Sequence, residues 1–132
     1  MRQSLWYDAG KLALWSGLDL RSAAIRCALM TDAYQPGRTL HRTYDDLDHE
    51  AEGPGYDPGG VLLSGQRLSM RKGLCCFHAD DVVLPRCSVE ASGVVLYVAG
   101  SGELIAYVYV GADRSRNDAF VVEWDEDGIF SY

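Results

Sequence analysis

The sequence is short of basic charge and proline and has no long apolar run. Its 132 residues include 12 Lys and Arg against 19 Asp and Glu, which leaves a formal net charge of −7. Such a charge excludes the general positive field that attracts nucleic acid, so we expect no nucleic-acid partner. No apolar run approaches the roughly 18 residues that span a bilayer, and we expect no membrane contact. The first residues lack the apolar segment of a secretory signal, which predicts a soluble cytoplasmic chain.

The composition that remains is that of an ordinary folded domain. Hydrophobic residues make up 48% of the chain and charged residues 23%, which argues against disorder. The length suits one core, so we expect a single domain over residues 1–132. With 14 Gly and only 4 Pro, the chain can form many tight turns between short strands.

The hydrophobic periodicity predicts a mainly β fold with one short helix. Helical spacing covers residues 3–16, and a period of two covers residues 24–30. The β-rich body then extends over 61–132, with strands expected at 61–70, 74–79, 87–98, 103–111 and 119–124. We therefore predict an antiparallel β-sandwich or barrel-like domain. Its core should include Ile25, Leu29, Leu96, Ile105, Tyr107 and Trp124.

Residues 94–98 and 104–110 read as a hairpin that is apolar on both faces. Such a hairpin lies centrally in a sandwich or packs against a partner. The long irregular segment at about 31–60 is a second unusual feature, and we expect it to contact a neighbouring protein. The candidate interface residues are Tyr34, Pro36, Tyr44, Gly55, Tyr56, Gly59 and Gly60. Loss of the Tyr56 side chain should accordingly weaken assembly, whereas loss of Trp124 should destabilise the fold.

Four residues have the chemistry of zinc ligands, namely Cys75, Cys76, His78 and Cys87. Their spacing matches no zinc knuckle or ribbon, and adjacent residues of a strand point to opposite faces. We expect reduced thiols, no metal and no cofactor. A zinc-binding module or a small metal-dependent enzyme that uses these four residues remains the alternative from another functional class.

No catalytic pattern stands out elsewhere in the sequence. Ser64-Gly65 is not part of a nucleophile elbow, and Gly100-Ser101-Gly102 lacks the further glycines and the helix of a phosphate-binding loop. The acidic stretch at 45–52 lacks the alternation and central Gly of a calcium loop. We therefore predict no enzymatic activity, no catalytic residues and no small-molecule substrate.

Several segments form an ordered series along the chain. The first is the helix-to-strand segment at 19–29, followed by Tyr34-Gln35-Pro36 and the His-x-x-Tyr-x-Asp-Leu segment at 41–47. The middle signature is the glycine- and tyrosine-rich segment at 53–63. Further segments are Ala79-Asp80-Asp81-Val82, Gly93-Val94-Val95-Leu96-Tyr97, Leu104-Ile105-Ala106-Tyr107 with Gly111, residues 120–124 and Gly128-Ile129. In this order the segments resemble a family of small structural proteins encoded by tailed bacteriophages and prophages. The chain departs from the family pattern in its cysteine-rich 75–87 segment and its short turn at 99–103.

This resemblance implies a virion protein that is assembled in the cytoplasm of a bacterial host. The expected role is a capsid-associated decoration or cement protein that stabilises the shell as a homo-oligomer. The major capsid protein would then be its partner, together with other phage structural proteins. A neck, tail or fibre-attachment component is the alternative. The acidic charge favours contacts with protein over contacts with packaged DNA.

Overall fold

The computed structural model describes residues 4–116, 118–124 and 126–131. It shows a mainly β domain of antiparallel sheets with one short α-helix near the N-terminus, which confirms the predicted fold class. In chain order the elements are β1 Ser4–Trp6, α1 Asp8–Trp15, β2 Ile25–Met30, a 3₁₀ helix Tyr44–Asp46, β3 Val61–Leu62, β4 Arg67–Arg71, β5 Leu74–His78, β6 Val82–Cys87, β7 Glu90–Val98, β8 Leu104–Arg114, β9 Asp118–Val122 and β10 Phe130–Ser131.

The largest sheet has five strands in the order β1-β8-β7-β2-β3, and all its pairs are antiparallel. Its centre is the β7–β8 hairpin, in which Val94 pairs with Val108 and Leu96 with Ala106. This pairing confirms the predicted hairpin. Gly93 lies where the register shifts, and a Cβ atom there would come within 2.5 Å of the Tyr107 ring. The glycine therefore lets the tyrosine lie flat across the strand.

Two smaller sheets complete the body, one of three strands in the order β10-β5-β4 and one formed by β6 and β9. A single apolar cluster connects all three sheets; it includes Leu29 and Leu96 of the large sheet, Phe77 and Phe130 of the second, and Phe120 of the third. Burial of such apolar surface is the main force that holds sheets together.

The large sheet is buried on its second face as well. A separate cluster contains Ala28, Met30 and Val95, whose neighbours along the strands, Leu29 and Leu96, belong to the first cluster. Its covering side chains include Tyr34 of the 31–60 segment, and Tyr44 and Leu47 pack against it. The segment therefore covers the two-sided apolar hairpin within the same chain.

Several element boundaries differ from those predicted. The helix begins at Asp8 instead of residue 3, because residues 4–6 pair with β8 as strand β1. The predicted strand at 61–70 is two strands, β3 and β4, and strand β6 lies between the predicted strands at 74–79 and 87–98, where no strand was expected. Pro85 explains the second difference. Among the described strands β6 pairs with β9 alone, and its register shifts between Leu84 and Cys87, where a strand can accommodate proline.

The residues predicted to form the core divide into two groups. Ile25, Leu29, Leu96 and Ile105 are fully buried. Tyr107 and Trp124 are only partly buried and pack against the edges of the clusters. Trp124 lies beyond the end of β9, where its indole N–H donates to the Asp80 carbonyl at 3.0 Å. Its expected place in the core is therefore corrected to a place at the rim.

Candidate functional site

The carboxylate of Glu50 organises the segment at 31–60. Its Oε2 atom accepts hydrogen bonds from the Tyr56 hydroxyl at 2.5 Å and from the Gly59 N–H at 2.9 Å. Its Oε1 atom accepts a hydrogen bond from the Tyr44 hydroxyl. Charge-assisted hydrogen bonds of this kind are stronger than neutral ones. The Glu50 carboxylate is therefore hydrogen-bonded to three other residues of the segment.

Tyr56 lies inside the protein. Its side chain is 5% exposed, and its hydroxyl accepts a hydrogen bond from the Leu29 N–H at 2.9 Å. Burial, and then the hydrogen bond to Glu50, raise the pKa of Tyr56 well above the ordinary tyrosine value. The expectation that this side chain contacts a neighbouring protein is corrected by this geometry: the Tyr56 ring and hydroxyl are both used within the chain.

Three glycines allow the same segment to pack closely against its own domain. They are Gly55, Gly59 and Gly60. All three have positive φ angles, of 87°, 97° and 85°. At Gly60 a Cβ atom would come within 2.6 Å of the Cys27 carbonyl carbon, and at Gly55 within 2.8 Å of the Cys87 Cα. Only glycine tolerates both the conformation and the approach. These residues let the segment pack against β2 and β6 of its own domain.

Tyr34 is also buried, at 4% exposure, in a hydrogen-bonded chain with Tyr7 and His41. The Gly37 N–H donates to His41 Nδ1 at 3.1 Å, so this nitrogen is an acceptor and the Tyr34 hydroxyl donates to it at 2.9 Å. The Tyr7 and Tyr34 hydroxyls are 2.6 Å apart. Burial raises the pKa of Tyr34 to about 12. Tyr34 thus anchors the segment, while the adjacent Pro36 remains half-buried.

Tyr44 occupies an intermediate position between these buried side chains and the surface. Its ring is stacked on that of Tyr97, with centroids 5.0 Å apart. Burial, and then the hydrogen bond to Glu50, raise the pKa of Tyr44 above the usual range. Of the predicted interface residues, only Tyr34 and Tyr56 are buried. Accessible surface is retained by Pro36, Tyr44, Gly55, Gly59 and Gly60.

The four residues of the zinc hypothesis are not brought together. Cys75 and Cys76 are neighbours on β5, where Cys76 is buried. His78 forms a hydrogen bond of 2.7 Å with the Ser69 hydroxyl, and Cys87 lies on β6 beside Ser115, with Sγ and Oγ 3.3 Å apart. Within the described ranges, no group of three or more Cys, His, Asp or Glu side chains could hold a metal ion. The four thiols, Cys27 included, are free.

An apolar cavity of about 340 Å³ opens between the end of α1 and the β10-β5-β4 sheet. One wall is aromatic: the Trp6 indole N–H donates to the Ser131 carbonyl at 3.1 Å, and its ring meets Phe130 edge-on at 4.6 Å. Phe130 stacks on Phe77 at 5.1 Å. These contacts hold the wall rigidly at the junction of two sheets. The lining is Trp6, Leu14, Gly17, Leu18, Asp19, Leu20, Arg21, Leu68, Cys75, Phe77 and Phe130.

Exposed apolar side chains continue the cavity onto the surface. Leu68 and Met70 lie opposite Phe77 and Cys75 in the β4–β5 pairing and therefore share one face of the sheet. Met70 is 70% exposed. Trp15, which is 83% exposed, lies with Lys11 and Leu12 along another side of α1 from the cavity residue Leu14. We call the cavity together with Leu68 and Met70 the α1–β4 face.

The sequence contained a signal for part of this face. In the run Arg67-Leu68-Ser69-Met70-Arg71 the apolar side chains alternate with polar ones, which indicates a strand with one apolar face. The interpretation of 61–70 as one continuous strand hid this alternation. The sequence around Trp15 does not indicate whether its side chain is exposed, because a residue on the outer side of a helix can be covered by another element or face solvent.

Comparison with known proteins adds no relative. No known protein family, curated protein or solved structure matches the chain. Among the helices in the described ranges, none is long and apolar enough to cross a membrane.

Proposed function

We propose that the chain is a structural component of a tailed-bacteriophage particle, and that it binds the capsid as a decoration or cement protein. The observation that carries an assembly role is the α1–β4 face, where large apolar side chains remain exposed around a rigid cavity. Exposed patches of this kind mark protein–protein interaction sites. The resemblance of the ordered sequence segments to phage structural proteins supports the particle of a tailed phage as the place of assembly.

The charge of the chain supports a protein partner. At a formal net charge of −7, the molecule is repelled by packaged DNA and stays soluble before it assembles. Many copies that each contribute a modest contact would bind a shell strongly through multivalency. The major capsid protein is the partner that offers such a repeated surface.

The number of copies per particle tests this proposal. Quantitative mass spectrometry of purified particles should find the chain on the order of hundreds of times per particle if it covers the shell. About a dozen copies or fewer, as closed rings contain, would replace the capsid role by a neck, tail or fibre-attachment role. Absence of the chain from the particles would refute both.

A further inference from the structure

Strand β4 is an open edge of the three-stranded sheet. Among the described strands it pairs with β5 alone, and all of its residues, Arg67–Arg71, are exposed. No other strand in the described ranges is exposed along its whole length. An edge strand presents unpaired backbone groups, and these can bind an extended segment of another protein as one more strand.

The turn at 72–73 determines which backbone groups of β4 are unpaired. Its two residues have positive φ angles, as in a type I′ turn, so Arg71 and Leu74 on either side of it form a hydrogen-bonded pair. Hydrogen-bonded and non-hydrogen-bonded pairs alternate along an antiparallel ladder. The N–H and C=O groups of Leu68 and Met70 therefore point away from β5, and no strand or loop of the described ranges bonds to them there.

The two faces of β4 differ in their side chains. Leu68 and Met70 lie on the apolar face that continues the cavity. Arg67 and Arg71 lie with Ser69 on the opposite face, where the arginine side chains are 61% and 52% exposed. Side chains directly opposite one another on neighbouring strands interact, apolar with apolar and acidic with basic. A complementary strand therefore has apolar residues opposite Leu68 and Met70 and acidic residues opposite the two arginines.

Basic charge is concentrated at this edge of an acidic protein. Residues 67–72 hold three of the 12 Lys and Arg residues and no acidic residue, in a chain of net charge −7. Each arginine has one acidic neighbour: the Arg67 guanidinium lies 3.8 Å from the Asp80 carboxylate, and Arg71 contacts Asp127. Exposed ion pairs are weak, and a guanidinium has five N–H donors, so both arginines can still bind a carboxylate of a partner.

The same charges disfavour a second copy of β4 at this edge. In an antiparallel pair of two β4 strands centred on Ser69, each Arg67 would lie opposite the Arg71 of the other copy. Like charges that face each other across two strands destabilise a sheet, and charged residues on edge strands commonly prevent such self-pairing. An acidic strand of a different protein replaces this repulsion by attraction.

We propose that β4 binds an extended segment of another protein as an added antiparallel strand. The segment has the pattern acidic, apolar, any residue, apolar, acidic, with its apolar side chains beside Leu68 and Met70 and its acidic ones beside Arg67 and Arg71. The proposal rests on the assembly role proposed above and gives the chemistry by which the partner is recognised.

The first test measures peptide binding to the purified full chain by fluorescence polarisation. The probe is a labelled peptide with Glu-Val-Thr-Val-Glu between short Gly-Ser ends, and its matched control has lysine in place of both glutamates. The acidic peptide should bind saturably and at least about tenfold more tightly than the basic one, because both charged pairs change from attraction to repulsion.

A second peptide tests the backbone hydrogen bonds. N-methylation of both valines keeps every side chain and charge but removes the N–H groups that would donate to the carbonyls of Leu68 and Met70. Because the protein is unchanged in this experiment, its fold cannot account for the result. The N-methylated peptide should show no saturable binding.

A charge exchange in the protein then tests the role of the arginines. The double variant Arg67→Glu with Arg71→Glu should bind the basic peptide more tightly than the acidic one, which a damaged fold would not do. The matched control is Arg38→Glu with Arg42→Glu, because these two arginines are exposed but lie outside the β10-β5-β4 sheet. The control should keep the preference for the acidic peptide.

Three outcomes would overturn the proposal. They are no saturable binding of the acidic peptide up to millimolar concentration, equal binding of the N-methylated peptide, and an unchanged preference in the Arg67→Glu, Arg71→Glu variant. If the chain occurs in particles in the expected number but does not bind the acidic peptide, only the strand-addition proposal fails. If the peptide binds as expected but the chain is absent from particles, only the proposed function fails.

Discussion

At the scale of single residues, hydrogen bonds of tyrosine hydroxyls connect distant parts of the chain inside the protein. Tyr56 connects the backbone of β2 to Glu50, while Tyr34 connects Tyr7 to His41. A buried polar group is costly unless it is hydrogen-bonded, and these groups satisfy one another. These hydrogen bonds hold the 31–60 segment to the body of the domain at several separate positions.

The first prediction compares Tyr56 with Trp124, whose roles differ from those expected from the sequence. Tyr56→Ala should lower the free energy of unfolding by roughly 3–5 kcal/mol, because it removes a buried aromatic ring. Trp124→Ala should cost less, because Trp124 is only partly buried. Urea denaturation of the two variants measures both values. A larger loss for Trp124→Ala would contradict the internal role of Tyr56.

The hydroxyl of Tyr56 can be tested separately from its ring. Tyr56→Phe keeps the ring but removes the hydrogen bonds that the Tyr56 hydroxyl forms with the Leu29 N–H and the Glu50 carboxylate. The expected loss is about 1–3 kcal/mol, the cost of an unsatisfied buried group. An unchanged stability in urea would show that water replaces the hydroxyl.

At the scale of elements, the helix α1 packs directly onto strand β8. Gly10 is the contact point, and a Cβ atom there would lie 2.8 Å from the Ile105 Cα. No larger residue permits this approach. The close packing brings the end of α1 beside the β10-β5-β4 sheet and so forms one side of the apolar cavity.

Gly10→Ala tests this packing. Alanine favours a helix over glycine by about 1 kcal/mol, but the clash with the β8 backbone should cost more, so we expect a net loss of roughly 1–3 kcal/mol. Thermal or urea denaturation measures the net effect. Gly100→Ala is the matched control, since a Cβ atom at Gly100 would meet nothing within 4 Å. A stabilised Gly10→Ala variant would refute the close contact.

The β4–β5 hairpin turns through two residues with positive φ, Lys72 at 50° and Gly73 at 81°. Such a turn prefers Asn-Gly, because asparagine tolerates the left-handed conformation better than lysine. Lys72→Asn should therefore stabilise the protein by about 0.5 kcal/mol, whereas Gly73→Ala should destabilise it by about 1 kcal/mol. Melting temperatures of the two variants should move in opposite directions; equal shifts would contradict this turn geometry.

At the scale of the whole molecule, the buried tyrosines make the fold sensitive to alkali. Burial and a hydrogen bond to Tyr34 raise the pKa of Tyr7 far above the ordinary value of 10.0. Burial and a hydrogen bond to Glu50 raise the pKa of Tyr56 in the same way. A raised pKa in the folded state means that the neutral form is favoured there. Below pH 10 both the folded and the unfolded chain keep these protons, so the free energy of unfolding is not reduced. Above pH 10 only the unfolded chain releases them, and the free energy of unfolding falls as the pH rises.

We expect the free energy of unfolding to fall above about pH 10, by about 1.4 kcal/mol per pH unit for each such tyrosine. Tyr56→Phe should reduce the slope by one such increment. Urea denaturation at a series of alkaline pH values measures this slope. The control is Val82→Ala, which removes buried apolar atoms without a titrating group and should leave the slope unchanged. If the free energy of unfolding falls with pH as steeply in Tyr56→Phe as in the wild-type chain, folding does not raise the pKa of Tyr56.

Local patterns in the sequence determined the class of fold. The period of two placed β2 where the structure has it, and two apolar runs around a glycine turn predicted the β7–β8 hairpin. These features depend on neighbours along the chain, so they can be read without a structure. The start of α1 could not be read in this way, because residues 4–6 become a strand only by pairing with β8, about a hundred residues later.

Only the tertiary structure decided which aromatic side chains face inward. Tyr56 and Trp15 are both large amphipathic residues, and their local preferences do not say whether the same chain or another covers them. Tyr56 is buried because Leu29 and Glu50 reach its hydroxyl from other parts of the chain. Trp15 is exposed because no described segment covers the outer side of α1 at that point. Long-range contacts therefore moved Tyr56 from the expected interface into the interior.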